Sequence, residues 1–174
     1  MNKRMTSGLV LLALGLLCGI LLAGVNAMTA PVIQERQLEK VNETLEGFYD
    51  MNQYDVEITD INGDTIETAY VLTDKDSGSI DAVVYEASAY GYQSDVVLLI
   101  AINQDRTIHD YAVVSENETE GLGSEVVTHD FNIIGSSLGD LSGFDGIAGA
   151  TISSDAVLAC FEAVQNRVDE EFGG

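Results

Sequence analysis

The chain has 174 residues, enough for one domain of ordinary size with an added segment. Its net charge of −22, with seven Lys and Arg against 29 Asp and Glu, argues against nucleic-acid binding through phosphates and against adsorption to anionic lipid surfaces. Two cysteines and two histidines, with no Cys-x-x-Cys-His and no ligand-like spacing, argue against haem, a conventional iron–sulfur cluster or another metal centre. The many carboxylates form no calcium-type loop and read as a solvated face, so any redox chemistry has to come from an organic cofactor.

Lys3 and Arg4 precede an almost unbroken apolar run over residues 8–25, close to the span of a bilayer core at about 1.5 Å per residue. The basic residues ahead of it predict a cytoplasmic N-terminus, with the rest of the chain on the other side. A cleaved signal peptide ending near Val25-Asn26-Ala27 is the alternative. The run is long for a signal peptide's apolar core, so residues 1–30 are read as a retained transmembrane anchor. Gly15 and Gly19 form a small-xxx-small pair, a weak helix-packing signal. Leu17 stands where lipidation of Cys18 would require a small residue.

Residues 31–54 read as a juxtamembrane helix. Pro31 suits its first turn, and Ile33, Leu38, Val41, Leu45 and Phe48 make one apolar face. Residues 55–174 then form one domain in which the period switches to strands. Val56, Ile58 and Ile61 lead into the hairpin turn Asn62-Gly63-Asp64, and 65–73 returns. Strands follow at 80–89, at 96–102, whose continuous apolar run marks a central strand, and at 107–114. The last helix is expected to start near Asp155, behind the helix-start residues Ser153 and Ser154. Val157, Phe161, Val164 and Val168 give it a core face with Cys160 beside them, and 172–174 reads as a frayed end. Antiparallel hairpins flanked by helices make the class α+β. His109 and His129 read as surface or packing residues.

Two stretches carry chemistry. Directly after the last strand, Glu118-Thr119-Glu120-Gly121-Leu122-Gly123 sets two glycines around a leucine, exposing backbone to a flat ligand. Further on, Asp145-Gly146-Ile147-Ala148-Gly149-Ala150-Thr151-Ile152-Ser153-Ser154 crowds small residues before a row of hydroxyls. That places the Thr151 hydroxyl and several free N–H groups at a helix N-terminus, an anion site. Taken singly, the first is a common loop and the second is a glycine-rich turn with an ordinary cap.

Together the two stretches resemble the FMN-binding domain found in the G subunit of Rnf electron-transport complexes and the C subunit of sodium-translocating NADH:quinone reductases. Gly91-Tyr92 and the strand through Leu98-Leu99-Ile100 fit the same pattern. The family motif reads Asp, two variable residues, Ser or Thr, Gly, Ala, Thr, and its final Thr carries FMN through a phosphoester. The matching residue is Thr151. Ala148 departs where the family has Ser or Thr, and Glu120 departs where it has Pro.

The resemblance implies covalent FMN on Thr151, installed by a separate FAD-dependent flavin transferase that recognises Asp145. Gly149 and Ala150 would admit the peptide to that enzyme, and N–H groups around Ser153 and Ser154 would bind the phosphate. The ring would lie beside Glu118, Thr119, Gly121, Leu122 and Gly123. The charge of Glu118 and Glu120 would disfavour a negatively charged reduced flavin. The implied role is a single-pass, cell-membrane electron carrier with no catalytic site of its own, no metal and an extracytoplasmic domain. Its partners would be other membrane subunits of an ion-translocating ferredoxin:NAD+ oxidoreductase. A stand-alone membrane-tethered flavoprotein for extracellular electron transfer, the corresponding quinone reductase component, and a non-redox domain with unmodified Thr151 are the alternatives. No Gly-x-Gly-x-x-Gly opens a helix after a strand, which argues against an NAD site in this chain.

Overall fold

A computed structural model describes residues 3–172. Gly173 and Gly174 of the expected frayed end lie outside the described residues, as does the side chain of Phe172. The chain divides into two compact units, residues 1–40 and 41–174.

Helix α1 (Lys3–Phe48) makes the first unit and contributes its last turns to the second. It contains a window of mean hydropathy 2.2, is long and apolar enough to cross a membrane, and has none of that window buried inside the protein. Pro31, expected to open a separate helix, lies inside α1. It removes one N–H from the ladder, a loss that a helix with good formers such as Ala27, Met28 and Ala30 beside it absorbs. The expected apolar face of this region is only partly used. Ile33 and Leu38 are exposed, whereas Val41 and Leu45 are buried in the second unit.

The second unit is built on five strands: β1 (Tyr54–Asp60), β2 (Ile66–Asp74), β3 (Ile80–Tyr90), β4 (Asp95–Asn103) and β5 (Ile108–Ser115). They form one sheet in the order β1-β2-β3-β4-β5, each antiparallel to the next. Short turns allow this meander. Asn62 at φ 52° and Gly78 at φ 71° take the left-handed positions that hairpin turns require.

β4 is apolar from Val96 to Ile102 because both of its faces are covered. Leu98 and Ile100 point to one core, and Leu99 and Ala101 to the other. The first core is closed by α2 (Thr151–Phe172), which contributes Val157, Cys160, Phe161, Val164 and Val168, the face read from the sequence. The second core is closed by Val41, Leu45 and Phe48 of α1 over Leu72, Val84 and Leu99. Cys160 is fully buried, and burial pushes its thiol pKa up to about 12. Cys18 and Cys160 are both free.

Between β5 and α2 the chain runs irregularly, apart from a short 3-10 turn at Gly123–Val127. Burial of Phe131, Ile133 and Leu138 orders this path, and Phe131 stacks on Phe144 at 4.9 Å. The path also covers the outer edge of β5. Ile108 N donates to Ser136 O at 2.9 Å, and Gly135 N donates to Ile108 O at 2.8 Å. Helix α2 starts at Thr151, a turn before the expected Asp155, because Ser153 and Ser154 lie buried within its first turn instead of capping it.

Phe161 is fully buried where α2 meets the sheet. Replacing it with Ala is expected to destabilise the domain by about 3–5 kcal/mol, read as a lower thermal midpoint of the full chain in detergent.

Candidate functional site

The β3–β4 turn, the loop after β5 and the first turn of α2 meet around a cleft of about 680 Å³. That volume lies within the range of roughly 300–1,000 Å³ typical of small-molecule sites.

The cleft is built on Glu118, a carboxylate only 8% exposed. The turn before β4 is tight, with Gly91 N donating to Ser94 O at 2.7 Å, and its next N–H groups converge on this carboxylate. Glu118 Oε1 accepts from Gln93 N at 3.0 Å and Ser94 N at 3.1 Å. Oε2 accepts from Tyr92 N at 3.0 Å and from the Ser153 hydroxyl at 2.6 Å. One side chain therefore ties together the β3–β4 turn, the loop after β5 and α2.

Two glycines make the approach possible. A Cβ at Gly91 would lie 2.6 Å from Glu118 Oε1. One at Gly123 would lie 2.6 Å from Ser153 Oγ and 2.7 Å from Glu118 Oε2. Gln93 Nε2 donates to Thr119 Oγ1 at 2.6 Å and adds a second tie between turn and loop. Burial alone would favour the neutral acid. Hydrogen bonds from Ser153, Gln93, Ser94 and Tyr92 outweigh it and hold the Glu118 pKa below the ordinary glutamate value.

The start of α2 forms the opposite wall. Gly149 sits at φ 88°, a left-handed position that a side chain would strain. Ala150 N donates to Ile147 O at 3.1 Å, and the first helical bond runs from Ser154 N to Ala150 O at 2.9 Å. The N–H groups of Thr151, Ile152 and Ser153 precede that bond and have no acceptor among the described residues. The donors at this helix start are therefore these three, and not the expected Ser153–Ser154 pair. Ser154 is consumed by the fold, its hydroxyl accepting from Ile147 N at 2.9 Å. Thr151 is exposed.

Of the residues singled out in the sequence, Glu118, Thr119, Leu122, Gly123, Gly149, Ala150, Thr151 and Ser153 line the cleft. Gly121, at φ 73°, shapes the loop instead, its N–H donating to Ser124 Oγ at 3.0 Å. Asp145 lies outside the cleft with its side chain exposed. Its backbone is held at both ends: its N donates to Phe131 O at 3.0 Å, and its carbonyl accepts from His129 Nε2 at 2.8 Å. The sequence reading missed Gln93 and Ile152 as lining residues, and noticed Tyr92 only as part of a pattern. Exposed Tyr92, Leu122 and Ile152 give the cleft an apolar rim.

Residues 91–166 match the FMN-binding domain family. The G subunit of the proton-translocating ferredoxin:NAD(+) oxidoreductase complex of Clostridium ljungdahlii is 27% identical over 167 residues, covering 90% of this chain and 86% of that protein. The G subunit of the ion-translocating oxidoreductase complex of Methanosarcina acetivorans is 30% identical over 148 residues, covering 80% of this chain and 78% of that protein. Its counterpart in Cereibacter sphaeroides is 31% identical over 131 residues, 72% of this chain and 59% of its own length. This chain belongs to the Rnf G-subunit family.

The domain match begins at Gly91, the residue whose missing side chain admits Glu118, so it takes in every residue of the cleft. The cleft suits FMN: free helix N–H groups for a phosphate and an apolar rim for a ring system. This member of the Rnf G-subunit family has no Lys or Arg between Arg106 and Arg167, so no cation from that stretch serves the cleft.

Because the folded pKa of Glu118 lies below the unfolded one, the ionised carboxylate stabilises the fold. That contribution is complete above the ordinary glutamate value of about 4.3 and is lost as pH falls through the lowered folded value. Glu118→Gln is expected to cost about 1–3 kcal/mol at neutral pH, with the gap from the parent narrowing as pH falls below about 4, in denaturant melts run across pH.

Proposed function

We propose that this chain is the electron carrier of an Rnf-type ion-translocating ferredoxin:NAD+ oxidoreductase complex, holding FMN as a phosphoester on Thr151. The observation that carries this reading is Thr151 itself. It presents an exposed hydroxyl in the first turn of α2, beside N–H groups without acceptors among the described residues, on a cleft shared with Leu122 and Gly123.

A threonine hydroxyl is a weak nucleophile, and among the described residues no His, Lys or Cys lines this cleft to activate it. The ester is therefore made by a separate FAD-dependent flavin transferase. The bond from Thr151 Oγ to the FMN phosphorus forms as the pyrophosphate P–O bond of FAD breaks. AMP leaves, and the hydroxyl proton passes to a base of the transferase. Asp145 suits recognition by that enzyme, since its side chain is exposed while its backbone is held by Phe131 and His129. Ala148, the departure from the family motif, is exposed and takes no part in the core, so the change bears on recognition and not on folding.

Bound FMN supplies transfer of one or two electrons. The chain's own residues would hold it: the N–H groups of Thr151, Ile152 and Ser153 would donate to the phosphate, and Tyr92, Leu122 and Gly123 would bound the ring. Glu118 shapes the cleft from behind, with its oxygens already committed to protein donors. Helix α1 anchors the carrier, with its N-terminus cytoplasmic and residues 55–174 outside, next to the other membrane subunits of the complex. Esterification keeps the cofactor from being lost on that side of the membrane.

Co-expression with a flavin transferase is expected to raise the intact mass by one FMN less one water, and Thr151→Ala is expected to abolish the gain. An unmodified parent chain, in cells where a known acceptor is modified, would overturn the proposal.

A further inference from the structure

The two edges of the sheet are treated differently. The edge of β5 is covered by the segment through Ser136, and Thr107 bridges to Ser137. Among the described strands β1 pairs with β2 alone, so its other edge has no strand partner, although Tyr54 at its start packs against Tyr49. Its seven register pairs with β2 run without a shift, and it contains no Lys, no Pro and no bulge. Lys, Pro and bulges are among the devices by which proteins blunt an open edge, and the charges that β1 does carry, Asp55, Glu57 and Asp60, are all acidic.

The direction of the free backbone groups follows from the ladder. Lys75 N donates to Gln53 O at 3.0 Å and Ile61 N to Glu67 O at 2.9 Å, one pair at each end of β1. Antiparallel pairs alternate, so Asp55, Glu57 and Thr59 turn their backbone groups to β2. Tyr54, Val56, Ile58 and Asp60 turn theirs outward. The outward residues also carry the apolar side chains, with Val56 37% and Ile58 63% exposed beside the buried Leu72 and Tyr70.

We propose that the open edge of β1 docks an extended, basic segment of another polypeptide, which adds as a further strand. Charge selects this occupant. Asp55, Glu57 and Asp60 are exposed along the strand, in a chain of net charge −22. A second copy pairing through β1 would set these acids against their counterparts, which disfavours it. Alternating Lys or Arg with apolar residues would meet Asp55 and Glu57 on one side of the strand and Val56 and Ile58 on the other, with main-chain bonds supplying the common affinity. This inference stands apart from the flavin reading, since β1 lies outside the residues matched to the FMN-binding domain.

The test uses the full chain in lipid nanodiscs and a short synthetic peptide of alternating Lys and Val, with backbone amide hydrogen exchange as the readout. The amides of Val56, Ile58 and Asp60 are expected to gain about tenfold or more protection, while strands β2 to β4 stay unchanged. Ile58→Lys, at an exposed position, is expected to weaken binding about tenfold. Asp55→Asn with Glu57→Gln keeps the strand and is expected to weaken it about fivefold, with a shallower salt dependence. Protection absent from these amides, spread over the whole acidic surface, or matched by an alternating Glu-Val peptide would overturn the proposal. A dimer of the chain alone that Ile58→Lys dissociates would overturn it in favour of a second copy.

Discussion

The cleft depends on one buried carboxylate. Glu118 would be costly in the interior if it were unpaired, because burial of a bare charge costs several kcal/mol. Three backbone N–H groups and the Ser153 hydroxyl compensate it, in place of a cation. Fixed dipoles hold the charge, so three segments far apart in sequence are locked to one point. The same bond explains where α2 begins. Ser153 commits its hydroxyl to Glu118 and Ser154 commits its own to Ile147 N, so neither is available as a cap. The helix starts at Thr151, and the uncompensated N–H groups move a turn earlier than Ser and Asp residues would advertise.

The sheet makes this arrangement stiff. β4 is buried on both faces, and the Glu118 loop leaves from the strand paired beside it. Helix α2 is fixed to the same core by Phe161, whose ring meets Tyr111 edge-on at 5.5 Å. Tyr111 in turn accepts from Phe131 N at 3.0 Å, which anchors the irregular path that ends at Gly149. Both walls of the cleft thus hang from β4, β5 and α2, while β1 and β2 lie outside the matched domain.

Hairpins and cores were legible because they are local. Strand alternation, the Asn62-Gly63 turn and the Val157–Phe161–Val164–Val168 stripe each follow from spacing a few residues long. What failed was tertiary. An apolar stripe over Ile33 and Leu38 looks the same whether a protein core, lipid or water faces it, and of that stripe Val41, Leu45 and Phe48 meet the core. Pro31 is as compatible with a helix interior whose neighbours are good formers as with a first turn. Ser153, read as a cap, is a buried brace, and its partner Glu118 lies 35 residues away. Gly91 gave no local sign of its task, which is to leave room for that carboxylate.

The electrostatics of the cleft bear on why an ester would be used at all. A phosphate there meets helix N–H groups but no cation from the long stretch between Arg106 and Arg167. A helix terminus contributes typically about 0.3–1 kcal/mol toward a negative group, and up to about 2 kcal/mol when partly buried. Micromolar retention needs about 8 kcal/mol. The apolar rim of Tyr92, Leu122 and Ile152 adds to the helix term, but all three are about half exposed or more and leave much of any ring in water. The net charge of −22 works against an anion throughout. A cleft of this kind orients a flavin better than it retains one. The proposed covalent bond to Thr151 would separate those tasks: the ester would retain the cofactor, and the cleft would have only to set its direction.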